Sequence, residues 1–461
     1  MAFQIELHKW KNKYGSKLAV CQMDGVAKSY TELYDDIMKY ANIFSKLTYD
    51  RIAIMGGTSY NWLCHVYGAL IAGKTVIAID PLLPINDVIT LLKNSDSETV
   101  FADEEDGKLR KAIEDENITY SLFYGDIQLE DSCFCRNNPD GDIIFFTSGT
   151  SGNAKGVVLP FEAVYGNAQR LSESVAVGIE GNMYTPLPLY HIYANTMTIA
   201  FWHKGQTVCL GSPRRIINEL EHFKPPIIVV VSAMAEFLLK NNVVGDWTKL
   251  FAVAGAKCEK ELELKAAEYG IAVQNLYGAS ETAGGIGLSK LGNGIEKMVP
   301  AKGVEVLVAD DGEIVISTLG HMREYYNNPE ATREVIRDGR IYLGDMGKSY
   351  GDGSFSPLGR KQDVIAMSNG NKLYCDEMDA ELTAIDGVEE ACVIYKCDKI
   401  MAIVVCQNDI DESIVKKNIK MYNKKQPYYR KIDKICISKQ PLPRTAIGKL
   451  KRNMVLNSID E

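Results

Sequence analysis

The chain has 461 residues, of which 46% are hydrophobic and 24% charged, and its formal net charge is −9. This composition is typical of a folded globular protein and excludes a disordered chain, a collagen and a coiled coil. Residues 411–461 carry 13 Lys and Arg against 5 Asp and Glu, which leaves 38 against 55 on the rest of the chain and argues against a general nucleic-acid-binding protein.

Helix-like and strand-like stretches alternate along the first part of the chain. Apolar residues recur at helical spacing in three segments, and short apolar runs separate these segments. The predicted helices are 30–47, 61–73 and 85–94, and the predicted strands are 51–55, 75–79 and 99–102. The alternation returns with strand 227–231, helix 233–240 and strand 250–254. Because strand–helix–strand units build parallel sheets, we expect a doubly wound, mostly parallel α/β domain.

The pattern changes near residue 300. Two short strands, 304–308 and 313–317, flank Asp310-Asp311-Gly312, which is a hairpin signal. The C-terminal pattern predicts helix 377–385, strands 391–395 and 400–406, and helix 412–422. We therefore expect an α/β protein with a large N-terminal domain over residues 1–360, which includes a β-rich subdomain, and a small α+β domain over residues 361–461.

The segment 142–156, DIIFFTSGTSGNAKG, has the composition of a polyphosphate-binding loop. A buried strand leads into small residues that let backbone N–H groups converge on an anion, and the loop ends at the mobile cation of Lys155. The spacing from Gly149 to Lys155 differs from that of the P-loop of kinases and GTPases.

Three further segments are weak signals when each is taken alone. NLYGASE, at 275–281, follows a predicted strand 271–274 and places a Tyr-Gly turn before Glu281, which suits Mg²⁺. YLGD places Asp345 in a predicted Gly-rich turn that could bind a ribose diol, with Arg360 closing the hairpin. PRTAIGK places Lys449 after a Gly turn in the basic C-terminal region.

Together and in this order, the four segments resemble the motifs of the adenylate-forming superfamily, which comprises acyl- and aryl-CoA synthetases, peptide-synthetase adenylation domains and luciferases. The resemblance covers nearly the whole chain. Smaller matches agree with it, namely YTEL near the start, PLPLYH at 186–191, YYNNPEAT at 325–332 and GRKQD at the domain junction.

The resemblance implies a role for each matching residue. Lys449 would bridge the substrate carboxylate and the α-phosphate of ATP, Glu281 would bind Mg²⁺, and His191 would lie beside the acyl pocket. Gln362 would lie at the hinge on which the small C-terminal domain moves. The implied nucleotide-binding residues are Thr147, Ser148, Gly149, Thr150, Ser151, Gly152, Lys155, Gly255, Ala256, Lys257, Asn275, Tyr277, Gly278, Ala279, Ser280, Asp345 and Arg360.

The implied activity is the activation of a small carboxylic acid by ATP and Mg²⁺ as an acyl-adenylate, with transfer of the acyl group to coenzyme A. A second hypothesis is a free-standing enzyme that loads an acyl or amino acid onto the phosphopantetheine of a carrier protein, because the loop at 368–375 departs from the family pattern. A third is a non-catalytic nucleotide-binding protein. We expect the acyl pocket to be lined by 191–198, 231–234, 252–257 and 279–285.

We also expect a cytoplasmic protein that does not span a membrane. The first residues lack the apolar core and cleavage site of a signal peptide, and the most apolar window, 225–239, falls short of the ~20 residues that a spanning helix needs. Eleven Cys in a chain of this length do not form a disulfide scaffold and predict reduced thiols.

Overall fold

The computed structural model describes residues 2–123, 140–147, 154–255, 258–361, 364–366, 372–396, 399–407, 410–427, 430–444 and 450–457. The chain divides into two compact units, Met1–Glu305 with Ser317–Gly339, and Val306–Ile316 with Arg340–Glu461. The boundary between residues 360 and 361 that the sequence suggests stays a prediction.

The elements of the first part of the chain are α1 (Ala2–Tyr14), β1 (Leu18–Cys21), β2 (Ala27–Ser29), α2 (Tyr30–Ser45), β3 (Arg51–Met55), α3 (Tyr60–Ile71), β4 (Thr75–Ile79), α4 (Ile85–Asn94), β5 (Thr99–Ala102), α5 (Gly107–Glu114), β6 (Thr119–Leu122), β7 (Asp142–Thr147), β8 (Lys155–Pro160), α6 (Phe161–Ser172), β9 (Met183–Thr185), α7 (Ile192–His203), β10 (Val208–Leu210), α8 (Ile216–Phe223), β11 (Ile227–Val230), α9 (Ser232–Lys240), β12 (Leu250–Val253), α10 (Lys260–Glu268), β13 (Ala272–Ala279), β14 (Gly284–Ser289) and β15 (Met298–Pro300). Two short 3₁₀ turns, Pro213–Arg215 and Ser280–Thr282, lie among them.

The elements that follow are β16 (Glu305–Val308), β17 (Glu313–Ser317), β18 (Glu324–Tyr325), α11 (Pro329–Val335), β19 (Ile336–Arg337), β20 (Arg340–Ser349), β21 (Phe355–Arg360), β22 (Val364–Ala366), β23 (Lys372–Tyr374), α12 (Cys375–Thr383), β24 (Val388–Lys396), β25 (Lys399–Cys406), α13 (Glu412–Lys425), β26 (Lys434–Ser438) and α14 (Arg452–Asn457). Most of the predicted helices and strands are confirmed to within two residues at each end, and strands β3, β4, β5 and β17 and helix α4 have the predicted bounds.

The first unit contains two largely parallel sheets. One has the strand order β18-β8-β7-β4-β3-β5-β6, and its strands from β7 to β6 run parallel. In the other, β13, β12, β11, β9, β10 and β1 run parallel, and β14 and β15 extend the β13 side in antiparallel pairing. Several of their parallel strands, among them β5, β11 and β12, are buried at every residue, and helices such as α4, α5, α9 and α10 pack against the sheets.

Two predicted turns lie inside strands, and these predictions were wrong. The strand predicted at 271–274 continues to Ala279, so the Tyr277-Gly278 pair is part of β13, where the register shifts against β14. Asp345 lies within β20, directly opposite Arg360 of β21. The hairpin turns at 350–354, where the sequence Gly351-Asp352-Gly353 also predicts a turn and the Tyr350 N–H donates to the Ser354 carbonyl. In both places the strand needs a glycine, because a Cβ at Gly278 would collide with the Gly284 main chain and Gly344 has a φ of +72°.

The second unit contains a three-stranded sheet, β24-β25-β26, with apolar side chains on both faces. One face packs against α12 and α13 through residues such as Met378 and Val415. The other face, which includes Ile394 and Met401, is covered by Leu442 and by Val455 of α14. The last helix is therefore an integral part of the core of this unit.

The cysteines that the structure describes are free thiols. Within the described part of the chain, no helix combines the length and the apolar character that crossing a bilayer requires.

His65 is buried on α3 and makes the stability of the fold depend on pH. Its ring lies between Phe123, at a centroid distance of 4.3 Å, and Tyr40, at 4.2 Å, and its Nδ1–H donates to the Asn61 carbonyl. Burial lowers the pKa of His65 to about 4. The unfolded chain takes up a proton near pH 6.5, so the unfolded state gains stability as the pH falls below that value.

We expect this histidine to remove about 3 kcal/mol from the free energy of unfolding between pH 6.5 and pH 4, with no further change from this group above pH 6.5. Urea unfolding at a series of pH values measures the slope. In a His65→Phe variant the slope should decrease, whereas the exposed His8, replaced by asparagine, serves as the control. An unchanged slope in the His65→Phe variant would contradict the expectation.

Candidate active site

The loops that carry the sequence motifs lie at the carboxyl ends of the parallel strands in the first unit. The hydroxyl-rich segment begins at Thr147, the last residue of β7, while Thr58 follows β3 and Asp80 follows β4. In the other sheet, PLPLYH follows β9, Gly255 follows β12 and Glu281 follows β13. Because loops at the carboxyl ends of parallel strands share one edge, this edge of each sheet is where a ligand site is expected.

Thr147 and Lys155 face each other at the ends of a hairpin. They are register partners in the antiparallel pair β7–β8. The connecting residues of the predicted phosphate loop, Ser148, Gly149, Thr150, Ser151 and Gly152, lie outside the described residues. The hairpin therefore fixes the position at which the hydroxyl-rich segment leaves β7 and the position at which it enters β8.

Glu281 lies in a tight turn between β13 and β14. The Thr282 hydroxyl holds this turn, because it accepts from the Ala279 N–H at 3.0 Å and lies 2.9 Å from the Gly284 carbonyl. The Glu281 carbonyl accepts from the Met322 N–H at 2.7 Å. These bonds fix the main chain on both sides of the carboxylate that the sequence assigns to Mg²⁺.

Tyr325 connects Glu281 with Lys155. Its hydroxyl donates to Glu281 Oε1 at 2.5 Å, and Lys155 Nζ lies 5.0 Å from the centre of its ring. Tyr325 is 5% exposed, and it belongs to the short strand β18, which pairs with β8. A carboxylate and an ammonium group are thus brought to one aromatic side chain.

The donor set fits a magnesium ion that is carried by a nucleotide. No group of three or more His, Cys, Asp and Glu side chains that could hold a metal occurs among the residues that the structure describes. Mg²⁺ in nucleotide sites is usually held by one or two carboxylates together with substrate phosphates. Glu281 would be the protein ligand, and the ion would neutralise phosphate charge there.

The segments predicted to line the acyl pocket lie next to one another around α7. The Tyr193 hydroxyl donates to the Ala252 carbonyl at 3.0 Å, and the Thr196 hydroxyl donates to the Ala283 carbonyl at 3.2 Å. A Cβ at Gly284 would lie 2.8 Å from Thr196 Oγ1, and the φ of Gly284 is +106°. This position therefore requires glycine.

Gly255 marks the end of β12 and borders the segment 231–234. Its φ of +87° lies in the left-handed region that favours glycine, and a Cβ there would lie 3.5 Å from Val231 Cγ1. The neighbouring predicted residues Ala256 and Lys257 lie outside the described residues.

His191 is the residue immediately before α7, and its loop is held to the ends of β3 and β4. Thr58 Oγ1 bonds the Leu187 carbonyl and the Leu189 N–H, both at 3.3 Å. Tyr190 hydrogen-bonds Asp80, and burial raises the pKa of its phenol. Burial lowers the pKa of His191, although the negative charge of Asp80 opposes this shift. The imidazole is therefore neutral near pH 7.

The predicted nucleotide-binding residues 275 and 277–280 differ in their surroundings. Asn275 is buried, and its side-chain amide donates to the Ile295 carbonyl at 3.2 Å. Gly278 is exposed, and Tyr277, Ala279 and Ser280 are partly exposed, so these four remain accessible to a ligand. Their contacts with a nucleotide stay predictions.

Asp345 and Arg360 form a pair within the second unit. Arg360 Nε lies 3.0 Å from Asp345 Oδ1, and its Nη1 donates to the Leu343 carbonyl at 2.7 Å. The guanidinium thus orients the carboxylate that the sequence assigns to the ribose. The predicted hinge residue Gln362 and the predicted catalytic Lys449 lie outside the described residues.

Sequence reasoning assigned no role to Tyr325, Thr58 or Asp80. Tyr325 belongs to the YYNNPEAT segment, which the sequence analysis named only as a smaller family match. This match was the only sequence signal that could have indicated Tyr325. Thr58 and Asp80 act on residues more than 100 positions away, so no local pattern indicates them.

The chain is similar to known proteins over most of its length. The model of the AMP-binding enzyme family matches residues 7–326. The long-chain-fatty-acid–CoA ligase FadD13 of Mycobacterium tuberculosis is 26% identical over 88% of this chain and 87% of that protein. The 2-succinylbenzoate–CoA ligase of Oceanobacillus iheyensis is 25% identical over 95% of each.

Solved structures share the fold. O-succinylbenzoate coenzyme A synthetase (MenE) of Bacillus subtilis, in complex with ATP and magnesium, has a TM-score of 0.81 at 22% identity over 98% of each chain. ATP-bound MatB of Rhodopseudomonas palustris has a TM-score of 0.86 at 20% identity over 99% of this chain and 98% of that one. These likenesses confirm the predicted α/β fold class.

Proposed function

The chain belongs to the AMP-binding enzyme family, and we propose that it is an AMP-forming acid–CoA ligase. A carboxylate oxygen of the substrate attacks the α-phosphorus of ATP, the bond from this phosphorus to the bridging oxygen breaks, and pyrophosphate leaves. The thiol sulfur of coenzyme A then attacks the acyl carbon, its proton is released, and AMP leaves.

The observation that carries this proposal is the convergence of Lys155 and Glu281 on Tyr325, beside the ends of the hydroxyl-rich loop. The first step brings two anions together, and their repulsion must be offset by positive charge. Bound Mg²⁺ supplies such charge at the phosphates. Lys155 and the loop N–H groups would hold the β- and γ-phosphates, and Lys449 would reach the attacking carboxylate.

Coenzyme A is favoured as the thiol because both curated relatives described above are named CoA ligases at 88–95% coverage of this chain. The acid is favoured to lack an α-amino group. Within the described residues of the four predicted pocket segments, 191–198, 231–234, 252–255 and 279–285, no aspartate is present to bind an ammonium ion, and the one glutamate, Glu281, is assigned to Mg²⁺. The small residues Ala279, Ala283, Gly284 and Gly285 leave room for a ring or a chain.

A cytoplasmic location fits this function, because ATP and coenzyme A are cytoplasmic substrates. The free thiols at the described cysteines fit a reducing compartment.

A screen of pyrophosphate release tests the proposal. The full chain is incubated with ATP, Mg²⁺ and a panel of fatty, aryl, dicarboxylic and amino acids, and the products formed with coenzyme A are identified by mass. We expect release with at least one acid and a product of the mass of its CoA thioester. Pyrophosphate release followed by acylation of a carrier protein, but not of coenzyme A, would support the second hypothesis. Absence of release with every acid would support the non-catalytic one.

A further inference from the structure

Two contacts of opposite charge meet on the side chain of Tyr325. Its hydroxyl donates to Glu281 Oε1 at 2.5 Å, which is in the range of short hydrogen bonds to a carboxylate. The face of its ring lies 5.0 Å from Lys155 Nζ, within the ~6 Å over which a cation is attracted to an aromatic ring. The hydroxyl thus binds the Glu281 carboxylate, and the ring attracts the Lys155 ammonium group.

We propose that Tyr325 is a positioning residue that presents the Glu281 carboxylate to Mg²⁺ and Lys155 to the phosphates of ATP. The inference rests on the proposed function. When Oε1 accepts the phenol, rotation of the carboxylate is restricted and Oε2 keeps a fixed direction. A preoriented ligand loses less conformational freedom when the ion binds.

The position of Tyr325 is itself secured by the segment that follows it. Its main-chain N–H donates to Thr332 Oγ1 at 2.9 Å, and the Thr332 hydroxyl donates to the Asn328 carbonyl at 2.8 Å. Asn328 also caps α11, since its side chain accepts from the Ala331 N–H at 3.0 Å. The hydrogen bonds within the YYNNPEAT segment therefore hold Tyr325 in place, and this is a physical reason for the sequence pattern.

The same segment holds a matched control. The next residue, Tyr326, makes the same two kinds of contact with a different pair of charges. Its hydroxyl donates to Asp96 Oδ2 at 2.6 Å, and its ring centre lies 5.4 Å from Arg51 Cζ. Tyr326 follows β18, and its phenol bonds Asp96 instead of Glu281. A Tyr→Phe change at either position removes one phenol–carboxylate bond.

Calorimetric titration of the full chain with ATP is carried out once in Mg²⁺ and once in EDTA. The comparison separates an effect on the ion from an effect on the fold. We expect Tyr325→Phe to weaken ATP binding about 10-fold in Mg²⁺, from the loss of a hydrogen bond to a charged group, and to change it less than about 2-fold in EDTA. Tyr326→Phe should leave both affinities within about 2-fold of wild type. Tyr325→Leu, which also removes the ring over Lys155, should weaken binding in EDTA as well.

Glu281→Gln provides a second test that does not depend on how well one variant folds. In the Glu281→Gln background, Tyr325→Phe should have no further effect on the Mg²⁺ dependence of ATP binding. The inference is wrong if Tyr325→Phe binds Mg²⁺-ATP as tightly as wild type, or if both phenylalanine variants lose the same affinity in Mg²⁺ and in EDTA. A wild-type chain that bound no ATP under either condition would overturn the proposed function, and this inference with it.

Discussion

Replacing Lys449 with alanine is expected to lower the rate of acyl-adenylate formation about 10²–10³-fold, because one charge-stabilising donor at the reacting phosphorus is lost. Acid-dependent exchange of labelled pyrophosphate into ATP measures this step directly. Transfer of the acyl group from a synthetic acyl-adenylate to coenzyme A should stay within a few-fold of wild type, since Lys449 is proposed to act only on the first step.

Lys451 offers the control for this experiment. It lies two positions further along the same basic segment, it is exposed, and its main-chain N–H donates to the Pro443 carbonyl at 2.8 Å. Lys451→Ala keeps that main-chain bond and removes the same charge, so exchange should be nearly unchanged. If Lys449→Ala exchanged pyrophosphate at the rate of Lys451→Ala, the role assigned to Lys449 would have to be abandoned.

Replacing Arg452 with methionine is expected to destabilise the second unit by about 3–5 kcal/mol, the range found when one partner of a buried ion pair is removed. Arg452 Nη2 contacts Asp376 and lies 2.8 Å from Asp379 Oδ2, and its Nη1 donates to the Val393 carbonyl at 2.6 Å. Its side chain is 12% exposed. Burial raises the pKa of Asp379 to about 6, although Arg452 opposes this shift.

Arg444, near the start of the PRTAIGK segment, is the matched control. It pairs with Glu390 at 2.8 Å, but its side chain is 43% exposed, so Arg444→Met should cost less than about 1 kcal/mol. Because a chain of two units need not unfold in one step, hydrogen exchange read on peptides from 372–457 is the appropriate measurement. Equal losses of protection from hydrogen exchange in the two variants would show that burial does not make the Arg452 pair more stabilising than the exposed Arg444 pair.

Local patterns predict elements well where a single requirement determines the residue type. Strands β3 and β4 are continuous apolar runs between polar segments, because both faces are covered, and their bounds were predicted without error. Gly278 shows the opposite case. Glycine next to tyrosine resembles a turn, yet a Cβ at this position would lie 2.1 Å from the Gly284 carbonyl oxygen. The glycine is there because β14 approaches closely, and the Tyr-Gly pair by itself does not distinguish this need from that of a turn.

The candidate site divides in the same way. Lys155 and Glu281 stand within short motifs of distinctive composition, so the sequence indicates both. The sequence does not indicate that both residues contact Tyr325, because Tyr325 lies 44 positions from Glu281. Likewise, the sequence places Asp345 and Arg360 in one hairpin, but the register that sets them directly opposite each other across β20 and β21 is visible only in the structure.

The doubly covered sheet of the second unit limits how this chain can be engineered at its C-terminal end. A stop codon placed after Lys451 would remove Val455 and Arg452 together, uncovering the apolar face around Ile394 and Met401 and leaving two acidic groups without their cation. Such a truncation would expose an apolar sheet face that promotes aggregation. An affinity handle therefore belongs beyond residue 457, behind a flexible spacer, so that the final helix can still dock.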